Sequence, residues 1–146
     1  MKPKSPDASR VWQRVLSPEP GEQQTLQTLI RQLHLDLGFL KQYSKSDKSP
    51  LGEQLIREYN GQILSLKGIL QLTGGSLPRE GGHLPDHSLR RCYDHALRRL
   101  GSYQLRSSDP VYGPVFRELA GETQGHCLCI TQLLGNTPHN SKINGR

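Results

Sequence analysis

Tyr43-Ser44-Lys45-Ser46-Asp47-Lys48-Ser49-Pro50 has a counterpart 60 positions on, Tyr103-Gln104-Leu105-Arg106-Ser107-Ser108-Asp109-Pro110. In each segment a tyrosine closes an apolar stripe and a polar run leads to proline. The proline ring cannot sit inside a helix without losing a hydrogen bond and clashing with the preceding turn. Each segment is therefore a helix stop followed by a restart. After one inserted residue the correspondence continues at an offset of 61, with Ile69-Leu70-Gln71-Leu72-Thr73-Gly74 against Ile130-Thr131-Gln132-Leu133-Leu134-Gly135. The chain reads as two helical hairpins.

The remaining prolines agree. Pro3, Pro6, Pro18, Pro20, Pro50, Pro78, Pro85, Pro110, Pro114 and Pro138 leave four proline-free windows, each long enough for a helix of roughly six turns. The first carries Leu26, Leu29, Ile30, Leu33, Leu37, Leu40 and Tyr43, and the second Leu55, Ile56, Tyr59, Ile63, Leu66, Ile69 and Leu70. The third carries Leu89, Tyr93, Ala96, Leu100 and Tyr103 after an Asp86-His87-Ser88 capping region. The fourth carries Phe116, Leu119, Ala120, Thr123, His126, Ile130, Leu133 and Leu134, from near Pro114 to Gly135. Steps of three and four put each set on one helical face. No window sustains the alternation of a strand. Between the hairpins, residues 74–85 hold four glycines and two prolines and exceed the length of a simple turn. A dozen extended residues span roughly 40 Å against about 35 Å for a six-turn helix, so this linker can run the length of a bundle as a crossover.

The 146 residues, 33% hydrophobic and 22% charged, suit one domain, with residues 1–21 a flexible N-terminal segment, 22–135 the bundle and 136–146 a disordered tail. Val11-Trp12-Gln13-Arg14-Val15-Leu16 is an apolar patch in the first segment that is expected to dock on the bundle. Apolar runs are far too short to span a membrane, and Met1-Lys2-Pro3-Lys4 opens no signal segment, so a cytoplasmic protein is expected. Cys92, Cys127 and Cys129 make an odd count without a framework, which argues for reduced, structural thiols. A net charge of +6 raises nucleic acid as a partner. Its densest part, Arg90, Arg91, Arg98, Arg99 and Arg106, has Arg90-Asp94-Arg98 at helical spacing and lacks interleaved aromatics, so a solvated face is the expectation and nucleic acid is not.

Tyr93 through Tyr103, Asp109-Pro110-Val111-Tyr112-Gly113-Pro114-Val115-Phe116, and Leu119 through Gly135 around His126 resemble the ferritin-like superfamily, rubrerythrin-type bundles in particular. The resemblance covers residues 22–135 and implies an all-α, ferritin-like four-helix bundle. It also implies a dinuclear centre: a glutamate seven residues before a tyrosine in helices one and three, and Glu-x-x-His in helices two and four. In this chain those positions hold Asp36 before Tyr43, Ala96 before Tyr103, Gln62-x-x-Ser65, and Thr123-x-x-His126. Only Asp36 and His126 remain as strong ligands. Neutral Thr, Gln and Ser do not compensate two cations, so a depleted site is implied. No Cys-x-x-Cys pair is present for a rubredoxin-like iron centre.

A rearranged site is the alternative. Glu118, Glu122 and His126 recur every four residues with Cys129 following, and Asp36 or His95, with Glu58 as a weaker candidate, would complete a single iron, manganese or zinc site. Against it stands a buried His126 hydrogen-bonded to Asp36, Tyr43 or another bundle group, with Glu58, Glu122 and His95 in solvent. Cys127 and Cys129, two apart on a helix, cannot form a local chelate. No nucleophile elbow, phosphate loop or catalytic triad is present. The leading expectation is a scaffold or interaction protein without catalysis or cofactor, whose Asp36, Gln62, Ser65, Thr123 and His126 form an interior hydrogen-bonded layer. Its partner would be an unidentified protein or a second copy, with no membrane. A metal-binding redox protein in peroxide defence or iron handling is the alternative.

Overall fold

The computed structural model describes Arg14 and residues 21–47, 49–78 and 87–136. Four helices account for most of them: α1 Glu22–Asp47, α2 Pro50–Leu72, α3 Leu89–Leu105 and α4 Gly113–Asn136. Among the described residues there is no strand. None of these helices is long and apolar enough to cross a membrane.

The ends follow from local chemistry. Gly21, at φ 75°, lets the chain turn into α1, and its carbonyl accepts from the Thr25 N–H at 3.0 Å. Ser49 caps α2 by accepting from the Leu51 N–H at 3.1 Å, and Pro50 supplies a pre-set first helical φ. At the other end Gly74 has φ 82°, the Gly74 N–H reaches Gln71 O at 3.0 Å and the Gly75 N–H reaches Leu70 O at 2.8 Å. Those two bonds form a Schellman motif and use carbonyls the helix would otherwise leave open. Ser88 caps α3 by accepting from the Arg91 N–H at 3.1 Å. Asp109 Oδ1 accepts from the Val111 and Tyr112 N–H groups at 2.8 and 2.9 Å and organises the turn before α4.

Packing is most extensive between α1 and α2 and between α3 and α4. Gln23 Nε2 donates to Thr73 O at 2.7 Å, joining the start of α1 to the end of α2, while Gly52 lies against Ser44 at the opposite ends. The inner faces of α1 and α2 are those expected: Leu26, Ile30, Leu33, Leu40, Leu55, Tyr59, Leu66 and Leu70 are fully buried. Full burial of one such aliphatic side chain is worth roughly 1.5–3 kcal/mol.

α3 departs from expectation in two ways. At 17 residues it is shorter than six turns. Its buried positions are Leu89, Cys92, Ala96, Arg99 and Tyr103, while Tyr93 and Leu100 are half-buried at the flank. The inward face is therefore turned by part of a residue step from the Leu89-Tyr93-Ala96-Leu100-Tyr103 stripe. The consequence is an arginine in the core.

Of the Val11–Leu16 patch only Arg14 is described. It is buried, its Nε donates to Asp109 Oδ2 at 2.6 Å, another guanidinium nitrogen pairs with Glu22, and its guanidinium carbon lies 5.2 Å from the Tyr112 ring centroid. Burial alone would raise the Asp109 carboxyl, but the Tyr112 N–H, the Arg14 side chain and the Val111 N–H hold it below its usual value. The rest of the expected N-terminal segment, the linker at 79–86 and the tail from 137 lie outside the described residues.

Candidate functional site

Arg99 is fully buried between α1, α2 and α3. Its NH1 donates to Gln32 Oε1 and to Asp36 Oδ2, each at 3.1 Å, and its NH2 donates to Tyr59 Oη at 2.7 Å. The guanidinium carbon lies 4.8 Å from the centroid of the Tyr59 ring. An arginine cannot discharge itself by losing a proton, so a buried one requires a counter-charge and acceptors for its donors. Asp36, also fully buried, supplies that charge.

Asp36 has three partners. Its Oδ1 lies 2.6 Å from His87 Nε2 and 2.8 Å from His95 Nδ1, while Oδ2 takes the Arg99 bond. The Ser88 N–H donates to His87 Nδ1 at 3.0 Å, which leaves the ring proton on Nε2, aimed at Asp36. Burial by itself pushes the Asp36 carboxyl up, but hydrogen bonds from His87 and His95 and the charge of Arg99 outweigh it and hold the group below its usual value. Cys92 Sγ stands 3.9 Å from His87 Nε2, and burial together with the Asp36 charge raises its thiol pKa strongly. Without a bound cation it is a protonated thiol at neutral pH.

A second cluster lies between α2 and α4. Gln62 Nε2 donates to Thr123 Oγ1 at 3.1 Å and to Glu122 Oε1 at 3.2 Å, while its Oε1 accepts from Tyr103 Oη at 2.9 Å. Thr123 Oγ1 donates onward to Leu119 O at 2.7 Å. His126 Nε2 lies 2.8 Å from Glu58 Oε1, its ring is 4.9 Å from that of Tyr59, and its buried Nδ1 has no hydrogen-bond partner among the described residues. A buried lone pair is less costly than a buried N–H, so the proton sits on Nε2 and is donated to Glu58. Burial, aided by the Arg99 charge, lowers His126 to about 4 against the opposing pull of Glu58. It is neutral at physiological pH.

The side chains singled out from the sequence fall into place as follows. Asp36, Gln62, Thr123 and His126 are all fully buried, whereas Ser65 is only half-buried. His126 takes Glu58 as its partner, not Asp36 or Tyr43. His95 turns to Asp36, and Glu122 is held by Gln62, where burial raises its carboxyl. Glu58, Glu122 and His95 are thus engaged in the polar core rather than left in solvent. Glu118 is exposed and Cys129 half-buried. Among the described residues, the one group of three metal-type donors with ligating atoms within 4.8 Å of one another is Asp36, His87 and Cys92.

Four participants escape the sequence reading: Arg99, His87, Gln32, and Tyr59 as a hydrogen-bond acceptor. The first carried a signal. Arg99 stands seven residues after Cys92, three after Ala96 and four before Tyr103, all on the inner face of α3. Residue type alone points to a solvated face, as for most arginines. Arg90, Arg91 and Arg98 do lie exposed on that face, with Arg90 Nε 3.6 Å from Asp94 Oδ1, so the face has one arginine fewer than its sequence suggests.

No family model, no curated protein and no solved structure matches the chain.

Proposed function

We propose that the chain is a ferritin-like four-helix bundle in which the Arg99 guanidinium has taken over the charge of an inherited dinuclear centre, leaving a non-catalytic scaffold or interaction protein. The observation that carries this reading is the fully buried Arg99–Asp36 pair. Asp36 occupies the position of the helix-one carboxylate ligand. In this chain that carboxylate is committed to a resident cation that no metal can displace without stranding a charged arginine in the core.

The helix contacts support the bundle. Gln32 and Asp36 meet Arg99 and His95 in order, so residue numbers rise along α1 as they fall along α3. Glu58 and Gln62 meet His126 and Thr123 in the same reversed sense along α2 and α4. With the end contacts between α1 and α2, this agrees with two antiparallel hairpins joined by a crossover. The other ligand positions support the loss of metal chemistry: Ala96 offers no donor, and Gln62 and Thr123 spend their polar atoms on each other, on Tyr103 and on Leu119 O. Polar atoms spent on one another make that part of the layer rigid and specific rather than reactive.

The test is elemental analysis of the purified full chain, then anaerobic reloading with Fe(II) and Mn(II), alongside Asp36→Ala and His126→Ala. The expected result is no paired iron or manganese and no peroxide or oxygen consumption. Two ions per chain, lost in both variants, would overturn the proposal.

A further inference from the structure

The wall between α1 and the start of α3 holds a donor set outside the His126 cluster, which shares Asp36 with the positions of a dinuclear centre and adds His87 and Cys92, which do not belong to them. One ligating atom from each of Asp36, His87 and Cys92 lies within 4.8 Å of the others, and His87 Nε2 stands 2.6 Å from Asp36 Oδ1 and 3.9 Å from Cys92 Sγ. Tetrahedral zinc, with bonds of about 2.0–2.1 Å to nitrogen and 2.3 Å to sulfur, spaces such donors by roughly 3.3–3.8 Å. The oxygen–nitrogen pair has to open by less than an ångström, and the nitrogen–sulfur pair has to close slightly. We propose that Asp36, His87 and Cys92 form a mononuclear site for a thiolate-seeking divalent cation, Zn(II) by the softness of the set, which pins the start of α3 to α1.

Three further features of the site support it. Arg99 holds Asp36 by Oδ2 and leaves Oδ1 facing the cluster, the outer hydrogen bond that orients a ligating carboxylate. The His87 ring is held against Phe39 with centroids 5.2 Å apart, so its direction is fixed before any metal arrives. His95, whose Nδ1 is 2.8 Å from the same carboxylate oxygen, is the nearest fourth donor. It also lines a surface cleft of about 280 Å³ with Arg91, Asp94 and Arg98. All three donors are almost wholly buried, so the bound ion would be dry.

The proton balance is explicit. The Cys92 thiol proton leaves to solvent as the sulfur–metal bond forms. Coordination through His87 Nε2 moves the imidazole proton to Nδ1, and the Ser88 N–H gives up that acceptor at the half-buried start of the helix. One proton is released per ion, so affinity rises with pH. The carboxylate stays ionised and paired with Arg99, so the site is compatible with the proposed arginine-centred core and does not depend on it.

The experiment is titration of the reduced, chelator-treated full chain with Co(II), followed by displacement with Zn(II). One Co(II) per chain is expected, with the strong visible absorption of tetrahedral cobalt and a near-ultraviolet sulfur-to-cobalt charge-transfer band. Cys92→Ser removes the sulfur band, His87→Gln weakens binding roughly tenfold or more, and Cys127→Ser and Cys129→Ser leave both signals unchanged. His87 lies outside the apolar core, so its variant reports even if Cys92→Ser fails to fold. No cobalt uptake, uptake without the sulfur band, or a band lost in Cys129→Ser but kept in Cys92→Ser overturns the site. Binding of an iron pair would contradict the previous section instead and would leave this result standing.

Discussion

His126 is the residue whose environment makes the sharpest solution prediction. An unfolded chain protonates a histidine near pH 6.5, whereas burial holds His126 to about 4 in the folded protein. Between those values the unfolded state binds the extra proton, so stability falls as the pH is lowered through that window. The loss is up to about 3 kcal/mol on the conversion of 1.36 kcal/mol per pH unit. Urea unfolding at pH 7 and at pH 4.5 should show it, and His126→Gln should flatten that part of the profile. A wild-type midpoint unchanged across the window would contradict the burial argument. Asp36 works in the same direction at lower pH: with its folded value depressed, it stabilises above about pH 4 and loses that contribution as the pH falls below. The cysteines follow from burial too. With its thiol raised and no surface exposed, Cys92 should be the last of the three to react with iodoacetamide in the metal-free protein, after the half-buried Cys127 and Cys129. Mass spectrometry of partly alkylated protein checks the order. The burial of His126 was legible in the sequence because it lies on the apolar stripe of α4. Its partner was not, since Glu58 is a half-buried side chain on a different helix and spacing within α4 says nothing of it.

At the scale of the elements, helix ends decide more than helix interiors. Gly74 has a left-handed φ of 82°, and a Cβ at Gly75 would stand 2.3 Å from Leu70 Cδ1. Gly74→Ala should cost about 1 kcal/mol from backbone strain. Gly75→Ala adds a steric conflict with a side chain that is itself fully buried, so it should cost more. Ser88→Ala removes the cap of α3 and should cost roughly 1 kcal/mol. Thermal melts rank the three, and equal midpoints for wild type and Gly74→Ala would remove the Schellman motif from the account. These ends could be read from the sequence because caps are local: Ser49-Pro50, Thr73-Gly74-Gly75 and His87-Ser88 each carry their reason within a few residues. The rotation of α3 could not. Leu89-Tyr93-Ala96-Leu100-Tyr103 and Leu89-Cys92-Ala96-Arg99-Tyr103 share three members and are both valid helical stripes, and apolarity favours the first. The second prevails because Asp36, Tyr59 and Gln32 wait on the neighbouring helices to receive a guanidinium, a fact of tertiary structure with no trace in α3 alone.

The molecule as a whole is organised around an ion pair rather than an unbroken apolar core. Through it run hydrogen bonds from Gln32 by way of Arg99 to Tyr59, whose ring packs against that of His126. The four-helix architecture was open to sequence reasoning because prolines and apolar periodicity are strong signals. The interior layer was half open: Asp36, Gln62, Thr123 and His126 were named, but the cation that makes Asp36 tolerable was placed on the surface. A thermodynamic cycle of Asp36→Leu, Arg99→Met and the double variant, measured by urea unfolding at pH 7, tests that organisation most directly. Each single change strands its partner's charge and should cost about 3–5 kcal/mol, while the double change removes both charges and should cost far less than the sum. Additive losses, to within about 0.5 kcal/mol, would contradict the claim that Arg99 is the resident cation of this core.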